Sequence, residues 1–334
     1  MLVVILIVLM TGIGGITRLT ESGLSITEWK PIMGALPPLN QTQWQEAFSK
    51  YQQIPQFERI HSTMTLEGFK WIFFWEYLHR LLGRLIGLTY ALPLTWYLYK
   101  KRIPQGLRGH AIAGLFLGGM QGFVGWIMVK SGLTELTYVS HFRLAAHLLL
   151  AFCIAAYLLW IRERLAPPRG PLSPAALAVA RWTPWIAALV GIQTLYGALT
   201  AGLKAGFMYP TFPTLGGQWL HPDLVRPGLG ALNWLSNPTA VQAIHRVLGT
   251  VLVVSLMTLW IRSRADLRGA PQYRALTACA HLSVTQYAVG IAVVLLGVPV
   301  WAGTLHQVIG CVLFLLTAQM VYVFNGHRPV SPAL

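Results

Sequence analysis

The chain has 334 residues, of which 55% are hydrophobic and 10% are charged, whereas an ordinary soluble domain carries about 25% charged residues; this composition argues against a soluble enzyme. The 25 Lys and Arg outnumber the 10 Asp and Glu and give a formal charge of +15. Because the basic residues cluster between long apolar runs, they indicate the positive-inside bias of membrane loops and no nucleic-acid partner.

Eight segments approach the length of about 20 apolar residues that a helix needs to cross a bilayer. They lie at 1–17, 71–99, 110–129, 144–161, 182–203, 239–261, 275–297 and 304–324. We therefore expect an all-α integral membrane protein with eight transmembrane helices.

The connections between these segments differ in charge. Four Lys or Arg residues occur in each of the loops 100–109, 162–181 and 262–274. Basic residues are retained on the cytoplasmic side of a membrane, so we place these loops there. The outer face then carries the stretches 18–70, 130–143 and 204–238.

The outer stretch 18–70 contains a predicted interfacial helix. Its apolar residues fall at i, i+3, i+4 and i+7, as Trp44, Ala47, Phe48 and Tyr51. Thr42 precedes them, with Gln45 three residues later, and this spacing predicts a capping box at the start of the helix. A helix of this kind is suited to form a lid over the outer face.

Two strings recur along the chain at nearly equal offsets. HRLLGRLIG at 79–87 matches HRVLGTVLV at 245–253, and QGFVG at 121–125 resembles QYAVG at 286–290. We infer two tandem four-helix halves of the same orientation, residues 1–165 and 175–334.

Four histidines lie near the outer ends of the even-numbered segments, in matched places of the two halves. They are His79, His147, His245 and His306. Leaving the ring nitrogens unpaired in hydrocarbon is costly, so matched histidines at membrane depth indicate a functional site.

A pair of imidazoles on neighbouring helices suits axial ligation of haem iron, and a four-helix half offers an apolar slot for the macrocycle. No carboxylate or thiolate joins the histidines in a zinc or di-iron pattern. Arg80, Arg84 and Arg246 follow the ligands closely and are candidates to pair with haem propionates. Snorkelling of these side chains to the membrane interface is the alternative.

One difference separates the two halves. Glu76 lies three residues before His79, about one helical turn away, and Gln242 stands at the equivalent place before His245. A carboxylate accepts a proton or stabilises a developing cation, and an amide does neither well. The first half is therefore predicted to be catalytic and the second to hold a structural or electron-transfer haem. The alternative for Glu76 is an interfacial ion pair with Arg80 or Arg84.

At these residues the sequence resembles the heme A synthase family, in the form shared by proteobacteria and mitochondria. The resemblance rests on GGITRLTESGLS at 14–25, WKPIMGALPPL at 29–39, FKWIFFWEYLHRLLGR at 69–84 and the four histidines. It implies an eight-helix membrane enzyme that oxidises a ring methyl of haem O to the formyl group of haem A by successive hydroxylations, for cytochrome oxidase assembly. His79 and His147 would flank the substrate haem with Glu76 near the methyl, and His245 and His306 would hold a haem b.

Two other functions fit the histidine spacing: a bis-His di-haem b electron carrier that oxidises quinol, and a haem transporter. Glu76 and the long outer stretch favour the enzyme. Expected partners are haem O synthase, an electron-transfer partner and oxidase assembly factors, and a homo-oligomer is left open. The lack of an Arg-rich and Ser-rich leader favours the bacterial inner membrane over the mitochondrial one.

Overall fold

The computed structural model describes residues 1–28, 34, 36–134, 138–166 and 170–325, without the side chains of 131–134. Most of the motif at 29–39, Arg169 of the second basic loop and the chain after residue 325 lie outside the described residues.

The described residues form α-helices and short 3-10 helices, and no strand occurs in these ranges. The α-helices are α1 Leu2–Leu19, α2 Gln41–Tyr51, α3 Pro55–Ile60, α4 Leu66–Tyr99, α5 Gln105–Thr134, α6 His141–Leu165, α7 Pro174–Ala180, α8 Thr183–Gly202, α9 Asn233–Ser236, α10 Pro238–Leu267, α11 Pro271–Leu295 and α12 Val300–Asn325. The predicted all-α fold is confirmed.

Each predicted apolar segment overlaps a long helix, and in the part of the chain that the structure describes seven helical segments are long and apolar enough to cross a membrane. Helix α4 is not among the seven. Its charged side chains, including Glu76, Arg80 and Arg84, lower its hydropathy. The integral membrane class is therefore supported, and a count of eight spans stays a prediction.

The predicted helix in the outer stretch is confirmed as α2, but the predicted capping box is wrong. Asn40 caps the helix, because its side-chain oxygen accepts a hydrogen bond from the backbone N–H of Gln43 at 2.9 Å. The Gln43 side chain reaches back to accept from the N–H of Leu39 at 2.7 Å. Asn is as good an N-cap as Thr or better, and it lies two residues earlier, so Thr42 falls inside the first turn.

The apolar face of α2 packs against the start of α4. The Phe48 and Phe69 ring centroids lie 5.2 Å apart, those of Tyr51 and Phe69 lie 5.3 Å apart, and all three side chains are buried. Phe69 lies two helical turns before Glu76, so the outer stretch is anchored close to the predicted catalytic carboxylate.

The two predicted halves contact one another through long helices. Helix α1 packs against both α4 and α12, and α6 packs against both α5 and α8. The amide of Gln307 on α12 donates to the carbonyl of Thr11 on α1 at 2.9 Å. Because α1 and α12 are the first and last helices that the structure describes, this contact joins the two ends of the described part of the chain. The division into tandem halves stays a prediction.

Helix α10 is fixed at its N-terminus by the outer stretch 204–238. Asn237 caps α10 by accepting from the N–H of Thr239 at 3.1 Å, and its amide donates to the carbonyl of Asp223 at 2.7 Å and to Asn233 at 2.9 Å. His245 follows two turns later. These hydrogen bonds fix the position of the loop 204–238 relative to the start of α10.

We predict that Phe48→Ala releases the outer stretch from α4. Removing a buried aromatic ring costs about 3–5 kcal/mol, so protease cleavage between residues 36 and 65 should become faster. The exposed Lys50, whose ion pairs are with Glu28 and Glu46, provides the control, and Lys50→Ala should leave the rate nearly unchanged. Equal cleavage of Phe48→Ala and the unaltered protein would contradict this packing.

Candidate functional site

The four predicted histidines each face a glycine on a neighbouring helix. A Cβ built on these glycines would lie 2.8–3.1 Å from the imidazole Cε1 atom. The pairs are Gly14 on α1 with His79, Gly125 on α5 with His147, Gly197 on α8 with His245, and Gly290 on α11 with His306. A Cβ at Gly290 would force the ring to move, and at the other three positions the ring would have to give by a few tenths of an ångström, so the glycines provide the space in which the imidazoles lie.

The second-half histidines come together in one cavity. The ring centroids of His245 and His306 lie 6.4 Å apart with an interplanar angle of 81°. Two imidazoles that each bond a shared metal ion at about 2 Å have centroids about 6 Å apart. The Nδ1 atoms of both rings are buried and have no hydrogen-bond partner in the described part of the chain. The spacing is thus compatible with two axial ligands of one iron.

The cavity lies among α8, α10, α11 and α12 and has a volume of about 230 Å³. Its walls are mostly apolar, with Leu252, Ile291 and Leu313 among them, and Arg246 lines it as well. An apolar cavity with a few polar groups is the usual form of a cofactor site.

In the first half, His147 contacts Gln121 of α5. The Gln121 amide nitrogen lies 3.0 Å from the carbonyl oxygen of His147 and 3.2 Å from each ring nitrogen. The Nδ1 atom of His79 is buried and has no partner among the described residues. His79 lies on α4 and His147 on α6, and α1 packs against both of these helices.

Glu76 is buried and its carboxylate is held by three donors. Oε2 accepts from the hydroxyl of Ser25 and the N–H of Ile26, each at 2.7 Å, and Oε1 accepts from Arg80 at 2.6 Å. The ion pair with Arg80, which was the alternative to a catalytic role, is therefore present. A pair of this kind fixes the carboxylate and does not by itself remove it from the chemistry.

Gln242, at the place equivalent to Glu76, has different surroundings. Its side chain is buried and lines the cavity beside His245, and neither amide atom has a partner in the described ranges. Both polar side chains lie one turn before a histidine. Only that of Glu76 is held by the outer stretch.

Arg80 and Arg246, predicted to pair with haem propionates, bind the outer stretches of their own halves. Arg80 donates to the carbonyl of Ile26 at 2.8 Å. Arg246 donates to the carbonyls of Thr211 and Thr214 at 2.8 Å. Arg84 lies one turn beyond Arg80 on α4. A role for these side chains toward propionates stays a prediction.

Sequence reasoning missed Gln193 and Arg18. Gln193 on α8 donates to the carbonyl of His245 at 3.1 Å. The string QTLYG at 193–197 has the same Gln-x-x-x-Gly spacing as QGFVG and QYAVG, and this recurrence was the available signal. Arg18 on α1 donates to the carbonyl of Ala201 and lines the second-half cavity, a contact that no local pattern predicts.

His61 belongs to a network on the outer face. Its Nδ1 atom lies 2.6 Å from the hydroxyl of Tyr51, and its Nε2 atom lies 3.7 Å from a carboxylate oxygen of Glu21. Burial lowers the pKa of His61, and the negative charge of Glu21 opposes this effect. Glu21 also pairs with Lys204, so the network connects the outer stretches 18–70 and 204–238.

Fold and site together define an all-α integral membrane protein in which two histidines, His245 and His306, face each other in one largely apolar cavity. The family model described as cytochrome oxidase assembly protein (COX15-CtaA) matches residues 1–318. The chain belongs to this family.

Curated relatives cover nearly the whole chain. A protein of Rhodospirillum centenum named heme A synthase is 46% identical over 95% of this chain and 84% of its own length. Proteins of the same name from Nitrosospira multiformis and Sphingopyxis alaskensis are 41% and 42% identical over 92% and 98% of this chain, and over 87% and 92% of their own lengths.

We predict that Arg246→Ala frees the loop that Arg246 binds. A hydrogen bond from a charged donor stabilises by about 1.5–3 kcal/mol, so proteolysis within residues 209–214 should accelerate in proteoliposomes. Arg226 lies in the same outer stretch with an exposed ion pair to Asp223 at 3.7 Å. Arg226→Ala is therefore the control and should change cleavage little. If the two variants are cleaved equally, Arg246 does not hold the loop.

Proposed function

We propose that this chain is a heme A synthase, a membrane oxidoreductase that converts a ring methyl of haem O to the formyl group of haem A. The observation that carries the proposal is the unequal pair of sites in a chain of this family: Glu76 lies beside His79, and Gln242 lies beside His245. A reaction needs an ionisable group beside one of the two histidine pairs, whereas an electron carrier needs none.

His79 and His147 would flank haem O as the substrate. His245 and His306 would hold haem b as the resident cofactor, and their 6.4 Å centroid separation supports this assignment. When bound, haem b supplies one-electron redox chemistry.

The proposed chemical role of Glu76 follows from its three hydrogen bonds. Because Arg80, Ser25 and the N–H of Ile26 hold both oxygens, the carboxylate has a fixed direction in an apolar region. A fixed negative charge stabilises positive charge that develops on the substrate methyl carbon, and a carboxylate also accepts the proton that this carbon loses. Each hydroxylation would remove two electrons and a proton from the methyl carbon, and the resulting cation would take up the oxygen of a water molecule, which loses a second proton. The two electrons would pass to the electron-transfer partner. Two such steps would give a gem-diol, and loss of water from it leaves the formyl group.

Arg80 would couple this chemistry to closure of the outer face. The same guanidinium group binds Glu76 and the carbonyl of Ile26. Burial of Glu76 beneath the loop excludes water, and this strengthens its electrostatic interaction with the substrate.

The location and partners follow from this proposal. The chain would act in a bacterial plasma membrane, as its bacterial relatives suggest. Haem O synthase would supply the substrate, an electron-transfer partner would take up electrons, and oxidase assembly factors would receive haem A.

The test is extraction of pigments from membranes that contain this chain together with haem O synthase. We expect chromatography to yield haem A or its hydroxylated precursor. Haem bound to the purified protein without either product would instead support the di-haem electron carrier, and the proposal would then be wrong.

We predict that Glu76→Gln keeps the haem content and lowers conversion of haem O by about 10²–10⁴-fold, the usual contribution of a positioned acid or base. Glu67, an exposed residue of the same helix paired with Lys70 at 2.7 Å, gives the control Glu67→Gln, which should convert normally. Full activity of Glu76→Gln, measured by product chromatography, removes this carboxylate from the reaction.

We predict that Gly197→Ala lowers the ratio of haem b to protein after purification. The added Cβ would lie 3.1 Å from Cε1 of His245, so the ring would have to move by a few tenths of an ångström from the position that suits the metal. Gly191 on the same helix has open space around an added Cβ, so Gly191→Ala should retain haem. Equal haem ratios in the two variants, measured from pigment extracts, would contradict the assignment of His245.

A further inference from the structure

Three of the four histidines have a glutamine beside them, at the same place on the neighbouring helix. Gln121, Gln193 and Gln286 each stand four residues before the glycine that makes room for His147, His245 and His306 respectively. Positions i and i+4 share one helix face. Each of these faces therefore presents a gap for the ring and a carboxamide one turn away.

The contacts of the glutamines converge on the histidines. Gln121 and Gln193 donate to the backbone carbonyls of His147 and His245 at 3.0 and 3.1 Å. The Gln286 amide nitrogen lies 3.3 Å from Nε2 of His306. In all three glutamines the side-chain oxygen is buried and has no partner among the described residues.

Histidines that bind a metal need such a partner. When one ring nitrogen is the ligand, the other carries a proton and is usually donated to an acceptor, which fixes the ring and raises its basicity. The buried Nδ1 atoms of His245 and His306 lack acceptors among the described residues, and the glutamine oxygens beside them lack donors. While its amide nitrogen keeps the contact given above, the buried oxygen of each glutamine remains available to accept a hydrogen bond from the ring nitrogen that does not bind the metal.

His79 differs, because Met10 occupies the equivalent place. Met10 stands four residues before Gly14, and its terminal methyl lies 3.4 Å from a Cβ built on Gly83, one turn after His79. At the corresponding Gly249 and Gly310, the built Cβ lies 3.1 Å from the amide nitrogen of Gln193 and of Gln286. A thioether is only a weak acceptor.

We propose that Gln121, Gln193 and Gln286 are positioning residues that orient three of the imidazoles toward haem iron, and that Met10 leaves His79 as the weakly held, exchangeable ligand. The inference rests on the proposed function and deepens it. A substrate that must enter and leave is held by one oriented ligand, His147, whereas a resident cofactor is held by two.

The test measures haem release from the full-length protein. Protein carrying Glu76→Gln, to stop turnover, is purified from cells that make haem O, and transfer of haem O to excess apomyoglobin is followed. Met10→Gln should slow this transfer by about 10–100-fold, the range of effect expected for such partners. Met10→Leu, which adds no acceptor, is the matched control and should leave the rate unchanged. An unchanged rate in Met10→Gln overturns the role of Met10.

A second measurement concerns the second half of the chain, in which His245 and His306 would hold haem b. Gln193→Leu should increase the rate of haem b transfer to apomyoglobin and shift the reduction potential and the low-spin electron paramagnetic resonance signal of the iron. Gln193→Glu, which retains an acceptor, should restore slow release. Signals and rates equal to those of the unaltered protein overturn the role of the glutamines.

Histidine variants separate the haem assignment from the positioning role of the neighbouring residues. If His245→Ala and His306→Ala retain haem b with an unchanged spectrum, the haem assignment itself is wrong. If those variants lose haem while the Met10 and Gln193 variants behave like their parents, only the positioning role is wrong.

Discussion

The polarity of four imidazoles inside an apolar membrane protein is the constraint on which the rest of this structure depends. A ring nitrogen without a partner in hydrocarbon is costly. Glycines on α1, α5, α8 and α11 provide the space for the rings, and glutamines one turn earlier place amides beside three of them. On α5, α8 and α11 both the glycine and the glutamine thus contact a histidine, whereas on α1 only the glycine does.

The two histidine pairs differ at two neighbouring positions, and both of these positions lie beside His79. Glu76 replaces an amide with an acid one turn before the histidine, and Met10 replaces an amide with a thioether on the facing helix. An ionisable group together with a loosely held ligand suits a molecule that reacts and then departs. Two ligands with amide partners and no acid suit a cofactor that stays. In our proposal the same helical framework thus serves two purposes through a few side chains.

The outer face is joined to the site by arginines at equivalent positions. Arg80 and Arg246 each follow a histidine directly and bind carbonyls of the outer stretch in their own half. In the first half the same stretch supplies Ser25 and the N–H of Ile26 to Glu76. The orientation of the carboxylate and the position of the loop above it are consequently coupled, since neither can change without breaking the other's hydrogen bonds.

The sequence by itself determined the helices, the register of the four histidines and the contrast of Glu76 with Gln242, because apolar run length and repeat offset are properties of a linear pattern. It misplaced the cap of α2 and did not find Gln193 or Arg18. Only the tertiary structure decided which glycine faces which imidazole and that Arg80 and Arg246 bind loop carbonyls. Such contacts join residues many turns or whole helices apart, and they depend on helix rotation and packing, which no local spacing encodes.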